Sequence, residues 1–124
     1  MNDLALVIED DADLATIFAE AIKTAGFETQ VIRDGRTAII QLGLLMPSIV
    51  VLDLHLPKVS GMDILKQIRA DARLAKTRVI LATADARMAD MLQGQADLVL
   101  VKPVSFGQLR DLAARLRSDV SRAK

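Results

Sequence analysis

Reactive side chains recur at the ends of short apolar runs in this chain. Leu4 to Ile8 leads into Glu9-Asp10-Asp11, Ser48 to Leu52 ends on Asp53, Arg78 to Ala82 leads into Thr83, and Leu98 to Val101 leads into Lys102. If those runs lie side by side in a parallel sheet, all of these groups share one rim, because loops and helix N-termini converge outside the carboxyl ends of such strands. Carboxylates gathered there would repel one another by roughly 3 kcal/mol per pair at about 5 Å with an effective dielectric near 20. An oxygen-coordinated cation offsets that repulsion. Magnesium suits the set, since it takes one or two carboxylates and completes its shell with water and phosphate oxygens. Lys102 adds a fixed positive charge. An aspartate carboxylate is a competent nucleophile for phosphoryl transfer, where positioning and charge neutralisation do most of the work, and Asp53 is the candidate.

A single acid carries little weight, because Asp is a frequent helix cap and turn residue. Asp11 and Asp13 are read in that way, one or the other capping the first helix. The argument rests on the set: acid, acid, hydroxyl and lysine delivered to one edge by four separate strands.

The elements that must position these groups alternate between strand and helix, the pattern of an α/β domain. Leu4 to Ile8 reads as a first strand. The helix after it carries Leu14, Ile17, Phe18, Ala21, Ile22 and Ala25 on one face and stops at Gly26. Phe27 to Ile32 is a weaker strand, interrupted by Glu28, Thr29 and Gln30 as an edge strand would be. Arg36 to Leu45 is helical and ends before Pro47. Ser48 to Leu52 is almost uniformly apolar and β-branched, which predicts a central strand buried on both faces. Gly61 to Ala72 is helical with Ile64, Leu65 and Ile68 inward. Arg78 to Ala82 is the fourth strand, Ala86 to Gln93 a short helix and Leu98 to Val101 the fifth strand. Ser105 and Gln108 have capping-box spacing at the start of a last helix, whose buried stripe is Leu109, Leu112, Ala113, Leu116 and Val120. The fold class is therefore α/β: a doubly wound five-stranded parallel sheet in the order 2-1-3-4-5, with helices on both faces.

Bulk properties narrow the function classes. A length of 124 residues suits one domain with a real core. Zero formal net charge leaves no basic surplus for nucleic-acid phosphates or anionic lipids, so neither direct nucleic-acid binding nor membrane binding is expected. The absence of cysteine removes disulfides, thiolate zinc sites and thiol nucleophiles together. The start of the sequence shows no basic leader or cleavage signal, and no apolar run could span a bilayer, so a cytoplasmic location is expected.

The same residues resemble a known family. Leu6-Val7-Ile8-Glu9-Asp10-Asp11 is similar to the acidic-pair motif that opens the receiver domains of response regulators. Val50-Val51-Leu52-Asp53-Leu54-His55-Leu56-Pro57, followed by Ser60-Gly61-Met62, looks like their phosphoacceptor segment. Ile80-Leu81-Ala82-Thr83-Ala84 resembles the segment bearing the switch hydroxyl, and Val101-Lys102-Pro103 resembles the lysine-proline, whose peptide bond is usually cis. The resemblance covers the whole chain and implies a single receiver domain over 1–124. It implies that Asp53 is phosphorylated from a histidine kinase or histidine phosphotransfer domain in a two-component or phosphorelay system. It also implies that Asp10, Asp53 and the His55 backbone carbonyl bind Mg2+ directly, that Glu9 helps through water, and that Thr83 and Lys102 bind the phosphoryl oxygens. Such a protein is a signalling phosphoacceptor rather than an enzyme, and it works with an effector domain or a protein partner.

Three features depart from the family pattern. Val99 stands where the family usually has a Tyr or Phe, three residues before the lysine. Thr83 and Lys102 are closer in sequence than is usual, so the fourth helix is expected to be short or remodelled, and dimerisation through that face is not assumed. His55, the chain's one histidine, lacks the partners of a metal-binding imidazole. Its side chain, like Asp85, is instead expected to influence attack by water. Met88, Met91 and Leu92 are read as a helix face packed on the sheet. Ile40, Leu42, Leu44 and Leu45 are read as core in the same way, although the second helix is too apolar all round to be covered by a sheet on one side, which leaves a partial interface there as the second reading. Two rival functions remain: a receiver-like interaction module that signals without phosphorylation, and an aspartate-nucleophile hydrolase of phosphate esters, which would need an aspartate at position 55.

Overall fold

The computed structural model describes residues 3–122, with side chains through Arg117. Strands β1 (Leu4–Ile8), β2 (Glu28–Ile32), β3 (Ile49–Asp53), β4 (Arg78–Thr83) and β5 (Leu98–Val101) alternate with helices α1 (Ala12–Thr24), α2 (Gly35–Leu44), α3 (Gly61–Ala70), α4 (Ala86–Leu92) and α5 (Phe106–Arg122). A turn of 3-10 helix at Ala72–Leu74 follows α3, where an unbroken helix to Ala72 was expected. The five strands form one parallel sheet in the order β2-β1-β3-β4-β5, as the sequence pattern predicts.

Strand alternation splits the core into two layers. Leu6 and Ile8 of β1, Val50 and Leu52 of β3, and Val79 and Leu81 of β4 pack against Ala38 and Leu42 of α2, Ile64, Leu65 and Ile68 of α3, and Leu92 of α4. On the opposite face Ala5, Val7, Ile49, Val51 and Ile80 meet Phe18, Ala21 and Ile22 of α1 and Leu109 and Ala113 of α5. All five residues of β3 are buried, which accounts for its unbroken apolar sequence. β2 is largely exposed and β5 half-buried, as suits the two edges.

Local signals explain the helix limits. Asp11 caps α1 by accepting from the Leu14 N–H at 2.9 Å. Asp13 lies inside the first turn, where a negative charge is favourable. Gly26, with φ +106°, takes the left-handed backbone that ends the helix. Ser105 accepts from the Gln108 N–H at 3.0 Å to start α5.

Four apolar positions differ from a core reading. Ile17 is 42% exposed, because Ala15 and Ala19 share the sheet-facing stripe with Phe18 and Ile22 and turn Ile17 to its flank. Met91 is 77% exposed, whereas Met88 and Leu92 pack inward, so the seven-residue α4 buries only part of its apolar surface. On α2, Leu42 is buried and Leu45 packs on the core, while Ile40 and Leu44 face outward. Val120 lies outside the residues whose side chains are described.

The short α4 is followed by a tight return. Gly94 has φ +91°, and Asp97 fastens the start of β5. The Asp97 N–H donates to the Val79 carbonyl at 3.0 Å, and its carboxylate accepts from the Val79 N–H at 2.7 Å. Arg69 at 3.2 Å and Arg78 at 3.1 Å complete the ion pairs. Burial would raise the Asp97 carboxyl, but these donors outweigh it and hold the group below its ordinary value. Val99 packs, partly buried, into the α2–α3–α4 layer.

Candidate functional site

The sheet register delivers the reactive groups to one rim. Ile8 pairs with Leu52 and Asp53 with Ala82, so Glu9 and Asp53 leave adjacent strands at nearly the same level. Thr83 pairs with Val101, and the Lys102 N–H donates to the Thr83 carbonyl at 2.7 Å, extending the ladder to the lysine. The Lys102-Pro103 peptide is cis. Gly61 lets α3 start against this edge: a Cβ there would lie 2.6 Å from the Asp53 carbonyl oxygen and 2.6 Å from Leu54 Cα, so only glycine fits without displacing backbone.

Glu9, Asp53 and Thr83 are buried, whereas Asp10 is half-buried at the rim. Carboxylate oxygens of Glu9, Asp10 and Asp53 lie within 4.8 Å of one another. Lys102 Nζ stands 3.0 Å from Glu9 Oε1 and 3.4 Å from Asp53 Oδ1. Burial pushes the Glu9 carboxyl from 4.5 up to about 7, a hydrogen bond to Asp53 adds to this, and Lys102 opposes it. Burial also acts to raise Asp53, but the His55 N–H at 3.0 Å, Glu9 and Lys102 together hold it below its ordinary value. Burial acts to lower Lys102, yet the two carboxylates keep its ammonium above the usual range. Burial thus favours the protonated form of Glu9, while the donors around Asp53 favour its ionised form beside the cation.

Two interactions here were not anticipated from sequence. Arg33, in the loop after β2, donates from Nε at 3.0 Å and from its guanidinium NH2 at 2.6 Å to the backbone carbonyl of Asp10. Nothing in its type or neighbours marks it; only the β1–β2 pairing brings it there. The second concerns His55, whose exposed ring places Nε2 2.8 Å from Thr83 Oγ1. The Asp85 N–H also donates to that oxygen, at 3.0 Å. Glu9, Asp10, Asp53 and Lys102 are thus assembled as the sequence predicts, whereas the Thr83 hydroxyl is held by His55 and the Asp85 backbone. The register of Asp53 on Ala82 could have suggested the His55–Thr83 meeting, since both residues follow that pair closely.

A doubly wound parallel sheet with a carboxylate cluster and a lysine at its carboxyl edge defines an α/β protein whose ligand rim suits anionic, metal-assisted chemistry. Residues 5–114 match the family model described as response regulator receiver domain, and the chain belongs to that family. It is 34% identical over 125 residues to "DNA-binding response regulator MtrA" of Mycobacterium tuberculosis (strain ATCC 25618 / H37Rv), covering 98% of this chain and 52% of that protein. It is 37% identical over 120 residues to "Sensory transduction protein RegX3" of Mycobacterium tuberculosis (strain CDC 1551 / Oshkosh), covering 94% of this chain and 50% of that one. The chain spans about half the length of the curated relatives it matches. Among solved structures, the signal receiver domain of a signal transduction histidine kinase from Syntrophus aciditrophicus superposes with a TM-score of 0.85 at 26% identity, over 98% of this chain and 95% of that one. This chain is a receiver domain of two-component signal transduction. Among the described residues no helix is long and apolar enough to cross a membrane.

Proposed function

We propose that Asp53 is the phosphoacceptor of this receiver domain and that its donor is a phosphorylated histidine of a kinase or phosphotransfer domain. The observation that carries this reading is the ammonium of Lys102 lying against both Glu9 and Asp53, beside a half-buried Asp10. In the transfer a carboxylate oxygen of Asp53 forms a bond to phosphorus while the phosphorus–nitrogen bond of the donor breaks, and the imidazole nitrogen leaves with its electron pair and takes up a proton. Asp53 is prepared for this by remaining ionised although buried. Lys102 is positioned to neutralise charge accumulating on the phosphoryl oxygens. Hydrolysis reverses the switch: water attacks phosphorus, the bond from phosphorus to the Asp53 oxygen breaks, inorganic phosphate leaves, and Asp53 returns as a carboxylate.

The donor set fits magnesium, being three hard carboxylate groups of which Asp10 is partly exposed at the rim. Asp10, Asp53 and the His55 backbone carbonyl would hold the ion, with Glu9 assisting through water. When bound, magnesium neutralises charge at the carboxylates and orients phosphoryl oxygens. The chain's own residues supply the rest: Arg33 steadies the Asp10 loop, and the His55 N–H orients the Asp53 carboxylate.

The MtrA relatives are named as DNA-binding proteins; for this chain, whose net charge is zero, the proposed output is through an effector domain or protein partner in the cytoplasm, not direct contact with nucleic acid. Incubation with magnesium and a small acyl phosphate is expected to add one phosphoryl mass to the protein, and none to an Asp53→Asn variant. Equal labelling of the two would refute the assignment, and no labelling of either would leave the reading as a phosphorylation-independent interaction module.

A further inference from the structure

Thr83 is fully buried, yet its hydroxyl is bound to neither Asp53 nor Lys102. A threonine hydroxyl has one proton and two lone pairs. The Asp85 N–H occupies one lone pair from 3.0 Å, and Nε2 of His55 stands 2.8 Å away. His55 is tied down at its other end as well, since its backbone N–H donates to Asp53 Oδ1 at 3.0 Å. One residue thus links the phosphoacceptor carboxylate to the switch hydroxyl.

A phosphoryl group on Asp53 brings about two negative charges and strong acceptor oxygens. To bind them, Thr83 must offer its only proton. We propose that His55 is a positioning residue that holds the switch in its resting arrangement: the Thr83 hydroxyl donates to Nε2, and this hydrogen bond has to break before the hydroxyl can turn to the phosphoryl oxygens. The inference rests on Asp53 being the phosphoacceptor. It differs from a role for His55 in water attack, because it concerns the equilibrium between resting and activated arrangements rather than the lifetime of the acyl phosphate. The ring's exposure permits it, since a ring released from Thr83 can rotate into solvent and leave no buried polar group unpaired.

Beryllofluoride with magnesium, a stable phosphoryl analogue, provides the test. Its affinity is measured by calorimetry for the unaltered chain, His55→Ala, Thr83→Ala and the double variant. One net hydrogen bond of this kind corresponds to about a 2- to 12-fold change in an equilibrium constant, so His55→Ala should bind the analogue tighter by that factor. In the Thr83→Ala background the same substitution should bring no gain, because a double-mutant cycle isolates the pair. A gain of equal size in both backgrounds would mean that the ring only obstructs the site, and would overturn the proposal. Binding by the unaltered chain with no gain in His55→Ala would overturn it too, leaving the phosphoacceptor assignment standing. No binding by the unaltered chain would overturn both. A second readout comes from the ring itself: as the chain has a single histidine, its imidazole 15N resonances should report Nδ1–H, Nε2-accepting imidazole at rest. A resting ring protonated at Nε2 would refute the stated direction of the bond.

Discussion

Glu9 and Lys102, 93 residues apart in the chain, meet at 3.0 Å on the rim of the sheet. Glu9 is almost fully buried, and Lys102 is the cation that makes its burial beside Asp53 tolerable. Replacing that lysine with Met keeps the aliphatic stem and removes the charge. In metal-free protein Lys102→Met is expected to lower stability by about 1–3 kcal/mol, the range for losing a charged hydrogen-bond partner, with the deficit shrinking as magnesium is added. Urea denaturation followed by circular dichroism, with and without chelator, checks this. A deficit unchanged by magnesium would count against a shared neutralising role.

The proton on Glu9 gives the metal-free protein a particular pH dependence. Its folded value is raised from 4.5 to about 7, chiefly by burial. Between those values the folded protein keeps a proton that the unfolded chain has released, so stability falls as pH rises from about 4.5 to about 7 and then levels, at no more than roughly 1.4 kcal/mol per pH unit. Asp53 acts in the opposite sense and at lower pH: its folded value lies below 3.8, so its contribution is present above 3.8 and lost as the solution becomes more acid. Denaturation midpoints measured in chelator across this range should decline in the unaltered chain and flatten in Glu9→Gln. Parallel profiles would show that Glu9 is not the group responsible.

Arg33 holds the loop that presents Asp10. Both of its hydrogen bonds end on the Asp10 backbone carbonyl, so it acts on the placement of that carboxylate without touching it. Groups that orient metal ligands commonly contribute 10- to 100-fold to affinity. Since Arg33 is exposed, Arg33→Ala is expected to weaken magnesium binding by about tenfold, with thermal stability little changed. Calorimetry is the appropriate method, because a chain without Trp or Tyr has no convenient intrinsic fluorophore. Undiminished affinity would reduce Arg33 to a surface contact.

Most of this architecture is legible in the sequence because burial and chemistry leave strong local marks. An apolar run ending on Asp53 reads as a central strand, and four strand ends carrying acid, acid, hydroxyl and lysine read as a shared rim. What escapes is pairing across strands. The meetings of His55 with Thr83 and of Arg33 with the Asp10 carbonyl depend on register and side-chain direction, which no local pattern encodes. Exposure on marginal helix positions also escapes: Ile17 and Met91 have the residue types of a core, but their neighbours on the same helix turn claim the inward face.

Gly61 connects the fold to the chemistry most directly. It has an ordinary residue's place at the start of α3, capped by the Ser60 side chain on the Asp63 N–H. Its backbone N–H donates to the Leu54 carbonyl at 3.3 Å, which holds the helix against the strand end. An added methyl would sit 2.6 Å from the Asp53 carbonyl oxygen and 2.6 Å from Leu54 Cα, and both are backbone atoms that no rotamer change can move aside. Gly61→Ala must therefore push α3 away from β3 or bend the chain just after Asp53. The first outcome loosens the packing of Ile64 and Leu65 under the sheet; the second misaims the carboxylate and its His55 N–H contact. Overpacking of this kind costs about 1–3 kcal/mol, and a nucleophile displaced by about 1 Å can lose on the order of 100-fold in rate. The expected result is a modest loss in urea midpoint accompanied by a much larger fall in the rate of phosphorylation from acyl phosphate. A variant with normal stability and a normal rate would show that the segment after Asp53 yields easily, and that the glycine is not needed to align the site.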